Sequence, residues 1–528
     1  MDREMKRYDL IVVGAGPSGL SAAIEAAKRG MSVAVFDENA KPGGQLFKQI
    51  HKFFGSKEHK AKVRGFRIGE ELLKEASETG VEVHLGATVT GLYMKKEVVV
   101  RMRDGMQHWK GDAVIVATGA SEKMVPFDGW TLPGVMGAGA AQTLMNLHGV
   151  KPGNRVLMLG SGNVGLVVSF QLLQAGCEVV AVVDAAPRVG GYGVHAAKLA
   201  RCGVPFYLSH TILRVEGSDR VAGVTIGRVN RRFQPVPGTE KRFDADTVCV
   251  AVGLSPMSQL FKMAGCQMRD DPKKGGEVPV CDQYGRTSVP GVFAVGDVSG
   301  IEEASSAMIE GRIAGVCAAN TLGFCTEEEK TAALAAMEKD LDSLRQGMFA
   351  PQNRGKDFRT TEEGVKISES LLKKGYLTDT EVGTFPGVVR RSGVHPVVEC
   401  TQNIPCNPCQ DVCPKNCIRV GEKITSLPEV DPAAGCVGCG MCVASCPGQA
   451  IFLVDEQFEE GFAAVTIPYE FFPLPKAGTK GTALGRNGKP VCEAEVVKVT
   501  NTAAFDHTNL LTMKVPRGEA MKARFFTC

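Results

Sequence analysis

A strand–turn–helix–strand unit is written twice in this chain, and it fixes the fold of the first half more tightly than any other feature. From Tyr8 to Glu38 the residues read YDLIVVGAGPSGLSAAIEAAKRGMSVAVFDE. An apolar strand over 10–13 runs into Gly14-x-Gly16-x-x-Gly19, then an Ala-rich helix, then a second strand ending in Asp37. Gly14 permits the tight turn, Gly16 lets the backbone approach a pyrophosphate, and Gly19 lets helix and strand pack closely. Pro17 and Ser18 open the helix, whose N-terminus turns unpaired N–H groups and a positive dipole end toward phosphate. Asp37, with Glu38 beside it, is placed to hold ribose hydroxyls.

The unit returns over residues 155–184, RVLMLGSGNVGLVVSFQLLQAGCEVVAVVD. Gly160, Gly162 and Gly165 repeat the spacing, Asn163 and Val164 open the helix, and Asp184 ends the strand. By the same physics this is a second dinucleotide site. An acid at the strand end suits a free 2′-hydroxyl, which favours NAD(H) over NADP(H); Arg188, four residues on, keeps NADP(H) as the alternative. A further reading keeps this fold as scaffold, since a motif alone does not establish turnover.

The second constraint is a cysteine repeat. Nine of the 18 cysteines fall between Cys400 and Pro447. Cys436-x2-Cys439-x2-Cys442-x3-Cys446-Pro447 has the spacing with which bacterial ferredoxins hold iron–sulfur clusters, the fourth cysteine reaching the neighbouring cluster. The preceding run is a stretched copy, with Cys413-Pro-Lys-Asn-Cys417-Ile set against Cys446-Pro-Gly-Gln-Ala450-Ile. Aligned so, Cys413 is the crossing ligand, and the first ligand position falls on Asn403, a poor iron donor, which leaves Cys400 to replace it. The resulting sets for two [4Fe–4S] clusters are Cys400, Cys406, Cys409 and Cys446, and Cys413, Cys436, Cys439 and Cys442. Cys417 in place of Cys400 is the alternative. Zinc prefers isolated CxxC pairs, and disulfides at this density belong to small secreted domains.

Composition narrows the setting. A net charge of +3 gives no footprint for nucleic acid or an anionic membrane. No apolar run approaches the roughly 20 residues of a membrane span. The chain passes from MDREMKRYD straight into a strand, without room for a signal peptide, so its many cysteines point to a reducing cytoplasm.

The pattern VVGAGPSGL…DENAKPGGQL resembles the FAD half of two-dinucleotide-domain flavoproteins, in particular those similar to thioredoxin reductase. Pro42-Gly43-Gly44-Gln45-Leu46 resembles the loop along the flavin, and Val114–Ala120 the strand that hands over to the second domain. Thr287–Gly300 resembles the terminal FAD motif. The resemblance implies FAD contacts at Gly44, Gln45, Val89, Thr118, Gly119 and Gly296, with Asp297 bonding the ribityl chain. It also implies a redox disulfide, and here the sequence departs. No cysteine precedes Cys177, and no two of the others in the nucleotide folds stand two residues apart. The flavin must therefore exchange electrons with something else, and no nucleophile or general base stands out as catalytic.

The segment ECTQNIPCNPCQDVCP on such a flavoprotein resembles the α-type subunits of heteromeric amino-acid and amine dehydrogenases, of the proline, hydroxyproline, sarcosine, opine and hydrogen cyanide synthase type. That resemblance implies a partner dehydrogenase subunit that oxidises a C–N bond while this chain relays the electrons. The rivals are a self-contained NADH:acceptor oxidoreductase serving a small molecule or soluble carrier, and a non-catalytic electron wire with static nucleotides. The expected fold class is α/β. An FAD domain (1–125 and 281–325) carries an inserted NAD(P) domain (126–280). A helical connector (326–395) with helices over 327–346 and 362–376 follows, then an α+β ferredoxin-like module (396–456) and a small β-rich domain (457–528). His395 reads as a solvated loop histidine.

Overall fold

The computed structural model describes residues 5–351 and 368–528, which fall into two units: 5–122 with 253–351, and 123–252 with 368–528. The first unit is built on a seven-stranded sheet. Strand Lys6–Val13 lies between Val33–Asp37 and Gly105–Val116, parallel to both. Val292–Ala294 runs parallel to Gly105–Val116, and Glu97–Met102 and Thr88–Tyr93 extend the sheet antiparallel. The central strand, KRYDLIVV, is buried through its last four residues, as a strand covered on both faces must be. Helix Ala304–Thr321 closes one face by packing against helix Pro17–Ala27. A Cβ on Gly311 would lie 2.1 Å from the Ser18 carbonyl oxygen, so only glycine allows that approach.

Helix Glu327–Leu344 also belongs to this unit. Thr326 and Glu329 form a reciprocal cap at its start, and Leu334, Met337 and Leu341 join the core around Ile313 and Ala314. Of the second connector helix expected over 362–376, residues up to 367 lie outside the described residues; the rest contains Glu369–Lys374, in the other unit. The inserted fold is shorter than expected. Strand Leu254–Pro256 pairs with Ala120–Glu122, which returns the chain to the first unit at residue 253, not 281.

The second unit repeats the parallel fold and adds a second sheet. Five parallel strands run in the order Phe206–Leu208, Glu178–Asp184, Arg155–Leu159, Thr247–Val250, Val135–Gly137. The C-terminal part forms a seven-stranded antiparallel sheet: His395–Val398, Ile451–Glu459, Phe462–Tyr469, Asn509–Pro516, Pro490–Thr500, Lys480–Leu484, Phe525–Thr527. The Gly485–Lys489 turn joins two of these strands, as its composition predicts. Two sequence expectations change here. Strand Ile451–Glu459 crosses the expected boundary at 456/457, so the cysteine segment and the β-rich tail share one sheet. His395 is fully buried on the edge strand, its Nδ1 2.9 Å from the Gly393 carbonyl oxygen. Among the described residues, no helix is long and apolar enough to cross a membrane.

Candidate functional site

Both glycine loops sit at the carboxyl ends of their parallel strands, where doubly wound sheets bind nucleotides. In the first, Gly14 has φ +105°, and a Cβ there would meet the Ala117 carbonyl oxygen at 2.4 Å. In the second, Gly160 has φ +113° and would meet the Ala251 carbonyl oxygen at 2.2 Å. A Cβ on Gly16 or on Gly162 meets nothing within 4 Å, so space is open above each loop where a pyrophosphate would approach. Gly19 and Gly165 are pressed against the carbonyls of Gly14 and Gly160, the close helix–strand contact their motif anticipates. Pro17 and Ser18, and likewise Asn163 and Val164, begin the two helices.

The strand-end acids are each bonded to their own glycine loop. Asp37 accepts the Ala15 N–H at 2.7 Å on one oxygen and the Asn39 N–H at 2.8 Å on the other. Asp184 accepts the Ser161 N–H at 2.7 Å and the Ala186 N–H at 2.8 Å in the same way. Each carboxylate braces its own glycine loop. In the first fold the following residue, Glu38, is exposed; in the second its place is taken by Ala185. Arg188 pairs with Glu369 at 2.9 Å.

Other expected FAD residues gather at the same edge of the first sheet. The Gly43 N–H donates to the Ala15 carbonyl at 2.6 Å, which lays the Gly44–Lys48 turn, with Gln45 exposed, along the loop. Thr118 Oγ1 donates to the Met257 carbonyl at 2.8 Å, and Gly119 follows at φ +70°. Gly296 donates to Glu310 at 3.1 Å, and Asp297 Oδ1 accepts the Glu302 N–H at 3.2 Å. Val89, half-buried on Thr88–Tyr93, packs into the core beneath the sheet. The second fold echoes the Gly43 contact: Gly191 donates to the Ser161 carbonyl at 2.9 Å, and Tyr192 to Asn163 Oδ1 at 2.8 Å. The signal for this was present in the sequence, as VGGYG against PGGQL, and was missed.

In the cysteine segment the repeat becomes a structural two-fold. Helices Pro408–Asp411 and Met441–Ser445 carry Cys409 and Cys442 in matching places. Asn416 (φ +49°) and Gln449 (φ +51°) make the same left-handed turn, three residues after Cys413 and Cys446. The Cys417 N–H then points at Cys413 Sγ (3.2 Å), and the Ala450 N–H at Cys446 Sγ (3.4 Å). Both sulfurs are thus offered a backbone donor, an arrangement that stabilises a thiolate.

Cys413, Cys417, Cys436, Cys439 and Cys442 line one pocket together with Pro396 and Leu453. Burial, and then the charges of Cys436 and Cys413, push the Cys442 thiol well above its ordinary value. Cys400, Cys409 and Cys446 form a second group. Burial, and then Cys446, push Cys409 up to about 12; the same two causes act on Cys400. Cys406, whose N–H bonds the Ile424 carbonyl, stands three residues before Cys409. Asn403 is buried, its amide donating to the Thr425 carbonyl at 2.9 Å. Cys417 therefore lies with the Cys413 group, and Cys400 with the Cys446 group. Among the described residues, no three His, Cys, Asp or Glu side chains gather in a site for a metal ion. The donors at each group are all sulfur, which suits iron–sulfur chemistry better than a hard cation.

Residues 8–311 match the family described as "Pyridine nucleotide-disulphide oxidoreductase". The chain is similar to an opine oxidase subunit of Rhizobium meliloti, 31% identical over 368 residues, covering 64% of this chain and 68% of that protein. It is similar to the hydrogen cyanide synthase subunit HcnB of Pseudomonas aeruginosa, 27% identical over 379 residues, covering 68% and 80%. It thus spans between about two thirds and four fifths of the length of these relatives. Among solved structures, thioredoxin reductase of T. acidophilum aligns with a TM-score of 0.50 and 22% identity over 60% of this chain and 100% of that one, a likeness of fold.

Proposed function

The chain belongs to the pyridine nucleotide-disulphide oxidoreductase family, and on that premise we propose that it is the FAD- and iron–sulfur-carrying subunit of a heteromeric amino-acid or amine dehydrogenase. It relays electrons between a partner subunit, FAD and two [4Fe–4S] clusters. The observation that carries this reading is the two-fold cysteine geometry, in which two groups of thiols each receive a matching N–H···S contact. The four proposed ligands Cys413, Cys436, Cys439 and Cys442 line one pocket and offer only sulfur donors, as an iron–sulfur cluster takes. The relatives are named as subunits of multi-subunit enzymes, which supports a partner that holds the substrate. When bound, flavin and clusters supply conversion between two-electron and one-electron transfer.

The chain's own residues position these groups. Gly14, Gly16 and Gly19 open the loop to a pyrophosphate, Asp37, with Glu38 beside it, takes the ribose, and Asp297 the ribityl chain. Cys400, Cys406, Cys409 and Cys446 hold one cluster; Cys413, Cys436, Cys439 and Cys442 hold the other. For the second nucleotide fold, two roles compete. As an electron port it would take NAD(H) at Gly160, Gly162 and Gly165; as a brace it would take no part in turnover. The brace is favoured by the pairing of Arg188 with Glu369, and the port by Asp184 at the strand end. Anaerobic titration of the loaded chain with NADH decides between them. The brace reading expects flavin absorbance to stay unchanged by NADH while dithionite bleaches it; bleaching by stoichiometric NADH makes the site an electron port.

A further inference from the structure

Two cations, neither in a salt bridge among the described residues, are buried beside the loop that carries Cys446. Lys198 and Arg201, one helical turn apart on Gly193–Arg201, are 2% and 5% exposed. The helix lies on the loop that carries Cys446: a Cβ on Gly448 would stand 2.6 Å from Val194 Cγ2. Arg201 donates through Nη1 to the Gln449 carbonyl at 2.9 Å and stacks over Phe452, 5.4 Å from the ring centre. Lys198 Nζ sits 4.3 Å over the ring of Phe170. Among the described residues, neither reaches a carboxylate at ion-pair distance. Glu399, whose charge Arg201 feels, is bonded by Arg486 and Arg524 at 2.6 Å each. Glu470, the acid nearest in effect to Lys198, accepts from Gln174 at 3.0 Å and from Thr508.

Removing a cation from water is unfavourable unless anions lie near it, and Glu470 and Glu399 act on Lys198 and Arg201 only from beyond ion-pair distance, so an anion held by Cys446 finds two cations on the adjoining helix face. A thiolate-bound iron–sulfur cluster is such an anion, and each electron it accepts adds one negative charge. We infer that Lys198 and Arg201 are positioning residues that raise the reduction potential of the cluster held by Cys446, by stabilising the charge added on its reduction. The inference rests on the cluster reading proposed above.

The test is a mediated potentiometric titration of the cluster-loaded full chain, with electron paramagnetic resonance resolving the two clusters. At a fixed potential, Arg201→Met and Lys198→Met each lower the reduced-to-oxidised ratio of one cluster at least tenfold, a shift of about 59 mV for a one-electron couple. The other cluster stays in place, and Arg201→Lys, which keeps the charge, holds the parent value. Unchanged potentials in both Met variants, or equal shifts in both clusters, overturn the inference. Should Arg201→Met fail to load iron, Lys198→Met and Arg201→Lys decide by the same criteria. A parent chain without iron removes the cluster reading itself, whereas a loaded chain with unmoved potentials removes only this inference.

Discussion

Cys446→Ser is expected to abolish one cluster and spare the other, with iron and acid-labile sulfide falling to about half of the parent values while flavin content holds, since each [4Fe–4S] cube needs its four thiolates. In the proposed assignment Cys446 is the crossing ligand; it is grouped with Cys400 and Cys409, and its sulfur accepts the Ala450 N–H. A serine hydroxyl titrates far above a thiol and is a hard, poor donor to iron. The comparison of Cys400→Ser with Cys417→Ser is sharper still. The first should lose the same cluster as Cys446→Ser; the second should keep full iron, because Cys417 sits with the group that already has Cys413, Cys436, Cys439 and Cys442. Iron loss from Cys417→Ser with full iron in Cys400→Ser would reverse the ligand assignment.

The largest effect on stability is expected at Glu399, the residue before Cys400. Its carboxylate is buried and bonded by both Arg486 and Arg524. Removing one partner of a buried ion pair costs about 3–5 kcal/mol, because the remaining charges stay in the interior. Glu399→Gln leaves two guanidiniums there and should lower the melting temperature by roughly 5–8 °C in a unit of this size. The pH dependence has a definite sign. Burial pushes the carboxyl up, but Arg524 and Arg486 outweigh it and bring it down from 4.5 to about 2. A depressed folded value means the stabilisation is complete above the unfolded value and is lost as pH falls from 4.5 toward 2. The variant should therefore lose stability against the parent at pH 7, with the gap narrowing through that window. Thermal unfolding at several pH values reads both quantities, and an undiminished gap at pH 2 would contradict the assignment.

What could be read directly from the residues was local. The glycine loops were legible because each glycine answers to a neighbour within its own unit or to a single carbonyl, and Gly160 repeats Gly14 to within a few tenths of an ångström. The cysteine repeat was legible down to its turn, since Asn416 and Gln449 occupy the same place in aligned halves. The misreadings came from long-range pairing. His395 looks like loop because nothing beside it signals a strand; it is buried because His395–Val398 pairs with Ile451–Val454, far along the chain. The boundary at 456/457 fails for the same reason, as one strand serves both segments. The strand-end acids carry a further task that the motif does not announce: Asp37 and Asp184 each accept one nearby backbone N–H on each oxygen and keep acceptor capacity for a ribose. Lys198 and Arg201 carry no motif, and their role appears only once the helix lies on the Cys446 loop.

The most direct test of the central claim is partial photoreduction of the anaerobic chain carrying both flavin and clusters, followed by visible absorbance and low-temperature electron paramagnetic resonance on the same samples. If this chain joins a two-electron carrier to one-electron carriers, electrons that enter at the flavin will spread to the clusters, and reduced-cluster signals will grow as flavin absorbance recovers. A flavin that stays fully reduced while the clusters remain oxidised would contradict the account.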